Sequence, residues 1–283
     1  MAATYSTTRN ATSLLARLLS ERRPLVMGIL NVTPDSFSDG GRFTDPETAI
    51  AHAIRLKAEG ADILDVGAES TRPYIGAQPI SLDDEFARLS PVLRPVIDLG
   101  LPVSIDTIKA KVAAWALEQG AAILNDVWGL QRDPDMARVA AEHGVPVIVM
   151  HNREAPDPTL DIMADVKAFF ARSLEIAAKA GVERERIVLD PGIGFGKTPQ
   201  QSIAAIARLD ELRSFGLPIL MGLSRKRFID SISPSKPGER LGGSIAGNIL
   251  SVLAGAEIVR VHDVAETVQA LRVMDAIQKA RHD

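Results

Sequence analysis

Met27-Gly28-Ile29-Leu30-Asn31-Val32-Thr33-Pro34-Asp35-Ser36-Phe37-Ser38-Asp39-Gly40-Gly41 opens as an apolar run and turns polar, Gly- and Pro-bearing from Asn31 onward. That pattern predicts a strand emptying into a loop. The loop is rich in oxygen donors, with Asn31, Thr33, Asp35, Ser36, Ser38 and Asp39 around a single aromatic, Phe37. Such a loop suits Mg²⁺, which takes one or two protein ligands and completes its shell with phosphate and water. Taken alone, the stretch reads first as a solvated turn with Phe37 tucked beneath it, and the rest of the chain overturns that reading.

Outward from this stretch the same unit repeats. Apolar, β-branched runs recur at 25–30, 62–66, 102–105, 121–124, 146–150, 186–189, 218–221 and 257–261. Between them lie segments of helical period, such as Val166, Phe169, Phe170, Leu174 and Ala177, or Val264, Val268, Leu271, Met274 and Ile277. Gly60, Gly100, Gly120, Gly144, Gly181, Gly216 and Gly255 each precede a strand, where glycine ends a helix by entering the left-handed region. Pro102, Pro146 and Pro218 open strands at positions that need no ladder donor. Eight alternating units without a linker predict a single (β/α)8 barrel; an open doubly wound sheet is the alternative. The barrel is expected over 25–283, with 1–24 as an N-terminal helix capping it. Leu14, Leu15, Leu18 and Leu19 give that helix one apolar face. Its Ser, Thr and Arg content is shared with transit peptides, but the leucines run directly into the first strand.

Composition narrows the function. The 283 residues are 46% hydrophobic, enough for a large core, and contain no Cys, which excludes disulfides, thiol nucleophiles and Cys-ligated zinc. A net charge of −4 argues against nucleic-acid or anionic-membrane partners. No apolar run approaches the ~20 residues of a membrane span. A cytoplasmic setting is the expectation.

Chemistry in such a barrel collects at the C-terminal ends of the strands. The runs deliver, in order, Asn31; Asp65 and Gly67-Ala68-Glu69-Ser70-Thr71-Arg72-Pro73; Asp106-Thr107; Asn125-Asp126; His151-Asn152; Asp190-Pro191-Gly192; Ser224-Arg225-Lys226; and Arg260-Val261-His262-Asp263. Asp106, Asn125 and Asp190, each at the edge of an apolar run, form a wall of acceptors suited to a flat heterocycle with N–H groups. Lys226, Arg260 and His262 supply the opposite polarity, suited to a phosphate or pyrophosphate. Alternatively, Arg260 pairs with Asp263 and His262 is a core histidine. The position of His151 is right for the site, but no partner is evident. Gly192-Ile193-Gly194-Phe195-Gly196-Lys197-Thr198 resembles a P-loop, yet the first glycine of that motif would fall on Pro191. Its glycines are instead expected to let the backbone pass close beneath a planar ligand. Arg240-Leu241-Gly242-Gly243-Ser244-Ile245-Ala246-Gly247 suits an anion, close helix packing or a subunit contact.

The run 28–41 resembles the first signature of the dihydropteroate synthase family, the sulfonamide targets of folate synthesis. The likeness continues through Asp65–Pro73, Ser104–Thr107, Asn125–Val127, Asp190–Gly192, Ser224–Lys226 and Arg260–Asp263, from Leu25 to about Ile277. It implies condensation of 6-hydroxymethyl-7,8-dihydropterin pyrophosphate with p-aminobenzoate to dihydropteroate and pyrophosphate, by loss of Mg-pyrophosphate and then arylamine attack. It further implies that Asp106, Asn125, Asp190 and Lys226 hold the pterin, with Phe195 and Arg72 as further substrate-binding residues. Asn31 would ligate Mg²⁺, with Arg260 and His262 on the pyrophosphate. Phe37, Thr71, Pro73 and the Lys226-Arg227 segment would border the aminobenzoate. Asp39, Asp106 and Lys226 would be catalytic, and the protein a homodimer. Ala68, Tyr74 and Arg227 depart from the family pattern, mostly beside the aminobenzoate. A methyltetrahydrofolate–corrinoid methyltransferase or a catalytically silent pterin-binding barrel is the competing reading. The methyltransferase would not need the Ser36–Gly41 loop or Arg260-x-His262, and a silent barrel is expected to lose a loop aspartate or Lys226, both of which are kept.

Overall fold

The computed structural model describes residues 11–21, 23–33, 45–69 and 80–281. Eight parallel strands carry the architecture: β1 Leu25–Asn31, β2 Ile63–Gly67, β3 Val103–Asp106, β4 Ile123–Asp126, β5 Val147–Met150, β6 Ile187–Asp190, β7 Leu220–Met221 and β8 Ile258–Val261. They run in the order β6-β5-β4-β3-β2-β1-β8-β7. A parallel bridge between Leu189 and Ile219 brings β6 back to the start of β7 and closes the barrel. The expected (β/α)8 barrel is therefore present, and the open sheet is not.

Helices cover the outside: α1 Ala11–Ser20, α2 Pro46–Ala58, α3 Leu82–Ile97, α4 Ala110–Gln119, α5 Met136–His143, α6 Ile162–Ala180, α7 Pro199–Ala207, α8 Arg227–Ile232, α9 Leu241–Leu253 and α10 Val264–Lys279. Side-chain caps start α2, α3, α6 and α7, as at Asp161, whose carboxylate accepts from Met163 and Ala164 N–H, and Thr198, which forms a full capping box with Gln201. At the other end, Gly120 adopts φ 112° and its N–H closes on Ala116 and Leu117 carbonyls, the role its place before a strand predicts. Pro102, Pro146 and Pro218 offer only acceptors to the ladder, to Leu64, Leu124 and Leu189 N–H respectively.

Strand residues alternate between two environments. Val26, Leu30, Leu64, Val66, Ile105, Leu124, Val147, Val149, Leu189, Met221 and Val259 join the core between strands and helices. The alternate positions Leu25, Met27, Ile63, Ile123, Ile148, Val188, Leu220 and Ile258 form a separate apolar cluster inside the barrel, with Leu18 and Leu19 of α1 packed against it. Burial on both faces explains why these strands read as continuous apolar runs. One inward position further along, the residues become Asp65, Asp106, Asn125, Met150, Asp190, Gly222 and Arg260.

The observed strands extend beyond the apolar runs. Asp106 pairs in register with Asn125, and Met150 with Asp190, so these residues end strands rather than begin loops. Ladder bonds use the backbone, and a polar side chain does not interrupt them.

Candidate active site

The mouth at the C-terminal ends of the strands concentrates buried charge. Asp65, wholly buried on β2, accepts from Arg260 Nε and from Asn125 Nδ2 at 3.2 and 3.3 Å. Arg260 Nη2 donates to Asp106 Oδ2 at 2.8 Å. Three strands are thus linked through one guanidinium, and Asn125 adds a fourth through Asp65. The alternative pairing of Arg260 with Asp263 does not form, because Asp263 is taken by Arg225, whose Nε donates at 3.0 Å. Asp65 has no role in the sequence reading, although an acid in the middle of Ile63-Leu64-Asp65-Val66 must find a partner inside the fold.

The second oxygen of Asp106, Oδ1, is buried and has no hydrogen-bond partner among the described residues. A buried acceptor of that kind costs stability unless a ligand satisfies it. Burial raises the Asp106 pKa to about 7, helped by Asp65, Glu85 and Asp126 and opposed by the Arg260 guanidinium. Gly67 makes room for it, since a Cβ there would lie 3.2 Å from Asp106 Cβ.

Asp190 on β6 accepts from Gly192 N–H at 2.7 Å through Oδ1. Its Oδ2 lies on the side of Gly222 and of the Arg260 stem. Burial again raises its pKa, against the Gly192 bond and the charges of Lys226, Arg260 and Lys197. The neighbouring acid Asp126 behaves differently. Its two oxygens accept from Trp128 and Leu130 N–H at 2.9 and 2.6 Å and hold a turn in which Leu130 has φ 67°. Asn125 therefore faces the barrel, and Asp126 builds the loop behind it.

Val127, Met150 and Phe195 form a small apolar cluster at this end, flanked by Ile108 and Trp128. The Lys226 ammonium lies 4.1 Å from the Phe195 ring centroid. Lys226 follows Arg225, a non-glycine residue at φ 58°, held there by Ser244 Oγ on its N–H at 2.9 Å and Arg240 on its carbonyl at 3.1 Å. Ser244 and the buried Arg240 thus fix the turn that presents Lys226. His262 Nδ1 lies 3.1 Å from Ser224 Oγ, so it sits on the β7–β8 side of the mouth. Asn31 ends β1 opposite Gly67. The geometry thus gathers Asn31, Asp106, Asn125, Asp190, Phe195, Lys226, Arg260 and His262 at one mouth. Phe37, Asp39, Thr71, Arg72 and Pro73 lie outside the described residues.

The structure revises the reading of the Gly192–Lys197 glycines and agrees with the rejection of a P-loop. A Cβ on Gly192 would come within 1.9 Å of the His151 carbonyl, and one on Gly196 within 2.4 Å of Arg153 Cβ. At these two positions the close approach is to the end of β5 rather than to a ligand. Lys197 points inward, wholly buried, with Nζ on the Gly192 and Phe195 carbonyls at 2.8 and 3.1 Å and on His151 Nδ1 at 2.6 Å. That placement is incompatible with a P-loop lysine. His151 also meets Asp165 Oδ2 through Nε2 at 3.0 Å, and Arg153 Nη1 binds the same carboxylate. His151 thereby finds its missing partners.

The pterin binding enzyme family matches residues 27–262. The dihydropteroate synthase of Bacillus subtilis is 45% identical over 258 residues, covering 91% of this chain and 90% of its own. The chain belongs to the pterin-binding enzyme family, in its dihydropteroate synthase branch. Among solved structures, the Clostridium difficile dihydropteroate synthase, determined in the presence of pteroic acid, superposes with a TM-score of 0.86 at 48% identity, covering 90% of this chain and 97% of that one. The Xanthomonas albilineans dihydropteroate synthase with 4-aminobenzoic acid gives 0.86 at 44% identity, covering 90% and 93%. Dihydropteroate synthases are transferases of folate biosynthesis, and that is the class of this pterin-binding barrel.

Proposed function

We propose that this chain joins 6-hydroxymethyl-7,8-dihydropterin pyrophosphate to p-aminobenzoate, and that the mouth described above binds the pterin. The observation that carries the assignment is the unpartnered, buried Oδ1 of Asp106 beside Asn125 and Asp190, next to the apolar cluster of Val127, Met150 and Phe195. A planar heterocycle rich in N–H groups satisfies both features: its faces meet the apolar side chains and its edge donates to the carboxylates. The Bacillus, Clostridium and Xanthomonas relatives support the choice of heterocycle and arylamine.

In this reading the bond between the pterin methylene carbon and the pyrophosphate oxygen breaks, and its electron pair leaves with the pyrophosphate. Lys226, Arg260 and His262 supply positive potential on that side of the mouth, although two nitrogens of Arg260 are already engaged by Asp65 and Asp106. Asn31, an oxygen donor at the rim, would hold Mg²⁺, whose contribution is to neutralise charge on the leaving pyrophosphate. The described residues hold no cluster of three or more His, Asp or Glu suited to a metal, which is compatible with an ion bound mainly by phosphate and water. The cationic methylene is conjugated with the pterin ring, where Asp106 and Asp39 offset its charge. The neutral arylamine attacks it and then sheds a proton, so no strong base is required. Thr71, Pro73, Phe37 and the Lys226-Arg227 segment would border the aminobenzoate, with Arg72 as a further substrate-binding residue.

Homodimerisation is part of the proposal, with Leu250 and Leu253 on α9 and Val273 and Ile277 on α10 as exposed apolar side chains for the contact. So is a cytoplasmic setting; among the described residues no helix is long and apolar enough to cross a membrane. Residues 1–24 would act as the cap of the barrel.

The deciding experiment is pyrophosphate release from the pterin pyrophosphate with Mg²⁺, with and without p-aminobenzoate. Release coupled to dihydropteroate is the expected result. Tight pterin binding with no release in either case would remove the synthase reading. Asp39→Ala is expected to slow turnover far more than it weakens pterin binding, and near-normal turnover would take Asp39 out of the mechanism.

A further inference from the structure

Lys197 lies outside every role assigned above, yet it is among the most deeply buried side chains in the protein. A lysine in such a place must be held by acceptors that compensate the loss of water. Three surround it. The carbonyls of Gly192 and Phe195 are the two ends of one tight turn, itself closed by Phe195 N–H on the Gly192 carbonyl at 3.0 Å. The third is His151 Nδ1. Burial and the Lys197 charge push His151 down to about 3 against the pull of Asp165, so the ring is neutral and its Nε2–H donates to Asp165. Nδ1 is then free to accept, and the three N–H bonds of an ammonium match three acceptors.

The turn clamped in this way is part of the pterin site on both sides. Asp190 Oδ1 holds its Gly192 N–H, and its last residue, Phe195, joins the apolar cluster and carries the Lys226 ammonium on its ring. From these contacts we infer that Lys197, braced by His151 and Asp165, is a positioning residue that sets Asp190 and Phe195 for the heterocycle. The inference rests on the pterin reading of the mouth. It assigns Lys197 no contact with substrate. A neutral amine has two N–H bonds for the three acceptors, so one of the three bonds that tie the turn to His151 is lost when Lys197 deprotonates.

The charged groups facing Lys197 come from every side. Asp190 on β6 and Asp165 on α6 favour the ammonium, while Arg153 after β5 and Lys226 before α8 oppose it. Burial is the largest influence and pushes Lys197 down to about 7. The clamp is therefore expected to weaken as pH rises from mildly acid to alkaline.

The test is calorimetric binding of the pterin pyrophosphate to the intact protein without p-aminobenzoate, alongside the KM of each substrate. Lys197→Met keeps the length of the stem and removes the donors. At pH 6 it should weaken pterin binding tenfold or more and leave the p-aminobenzoate KM within twofold of wild type. The ratio of the two dissociation constants should shrink toward pH 9, because the wild type also loses its ammonium; titration of Asp106 and of the substrate is common to both proteins. Pterin binding within twofold of wild type at pH 6, or a ratio that does not change with pH, overturns the inference. If Lys197→Met does not fold, Asp165→Asn decides. Weaker pterin binding with an unchanged p-aminobenzoate KM supports the clamp, and unchanged binding across the same pH range refutes it. Failure of the wild type to bind the pterin pyrophosphate at all would instead sink the site assignment on which the inference stands.

Discussion

The two ends of the barrel interior are built by the same strands and by opposite rules. At the lower end Leu25, Met27, Ile63, Ile123, Ile148, Val188, Leu220 and Ile258 fill the interior with apolar side chains. Two residues further along, on the same inward face, β2, β4, β6 and β8 present Asp65, Asn125, Asp190 and Arg260. Apolar packing stabilises wherever it is placed, whereas buried ionised groups cost stability unless paired. The lower layer holds the barrel together. The upper layer is retained at a cost, and Asp106 Oδ1 shows where the cost is left for a ligand to offset.

The sharpest way to break this division is Asp106→Ala. It removes acceptors for the heterocycle while leaving Arg260 paired with Asp65. Losing charged hydrogen bonds at the reacting ligand should lower kcat/KM by roughly 10²–10³-fold. The melting temperature should stay within a few degrees, because a buried acid with one orphaned oxygen goes with it. A large loss of stability with little loss of kcat/KM would reverse the assignment of the two layers.

Leu25→Ala is the mirror image. Leu25 is wholly buried in the lower layer, so truncation should cost about 2–5 kcal/mol in denaturant unfolding. The folded fraction should keep its KM values for both substrates, and a changed pterin KM would show that the layers are mechanically coupled.

The contrast also explains what could be read from the chain alone. Repetition made the barrel legible: eight apolar runs, glycines before them and prolines opening three of them. The polar strand ends were legible as a set, because Asp106, Asn125 and Asp190 recur at the same place in the third, fourth and sixth units. Pairings were not. Arg260 finds Asp65 and Asp106 far away in the chain rather than Asp263 beside it, and His151 finds Asp165 and Lys197 at separations of 14 and 46 residues. Such choices depend on which inward positions share a layer, and that requires the register between strands. The spacing of the glycines at 192 and 196 marks them in the sequence, but only the packed structure shows that they yield to the end of β5.

A smaller effect separates the layers by pH. The folded state raises the Asp106 pKa from an ordinary 3.8 to about 7, chiefly through burial. It therefore holds the proton more tightly than the unfolded chain, and the associated stability is present below pH 4 and lost as pH rises to 7. Asp106→Asn cannot titrate. The melting temperature of the variant minus that of the wild type should climb between pH 4.5 and 7.5, while Asp126 and Asp190 contribute alike to both proteins. A difference that stays flat would mean that Arg260 keeps Asp106 ionised throughout, making the upper layer a balanced ion network instead of a strained one.

The smallest expected effect lies at the closed end. Leu18 and Leu19 are half-buried and pack against the lower cluster, so α1 adds apolar surface to a layer already closed by strand residues. Replacing both with Ser removes partial burial at two sites and should cost about 1–3 kcal/mol. For a protein of this length that corresponds to a fall of roughly 2–4 °C in melting temperature per kcal/mol. Pterin binding is assigned to the opposite end of the barrel and should not change. If the double variant weakened pterin binding without lowering the melting temperature, α1 would be acting on the mouth rather than sealing the base. If neither quantity moved, the strand residues alone would close the lower end, and residues 1–24 would have no part in holding the barrel.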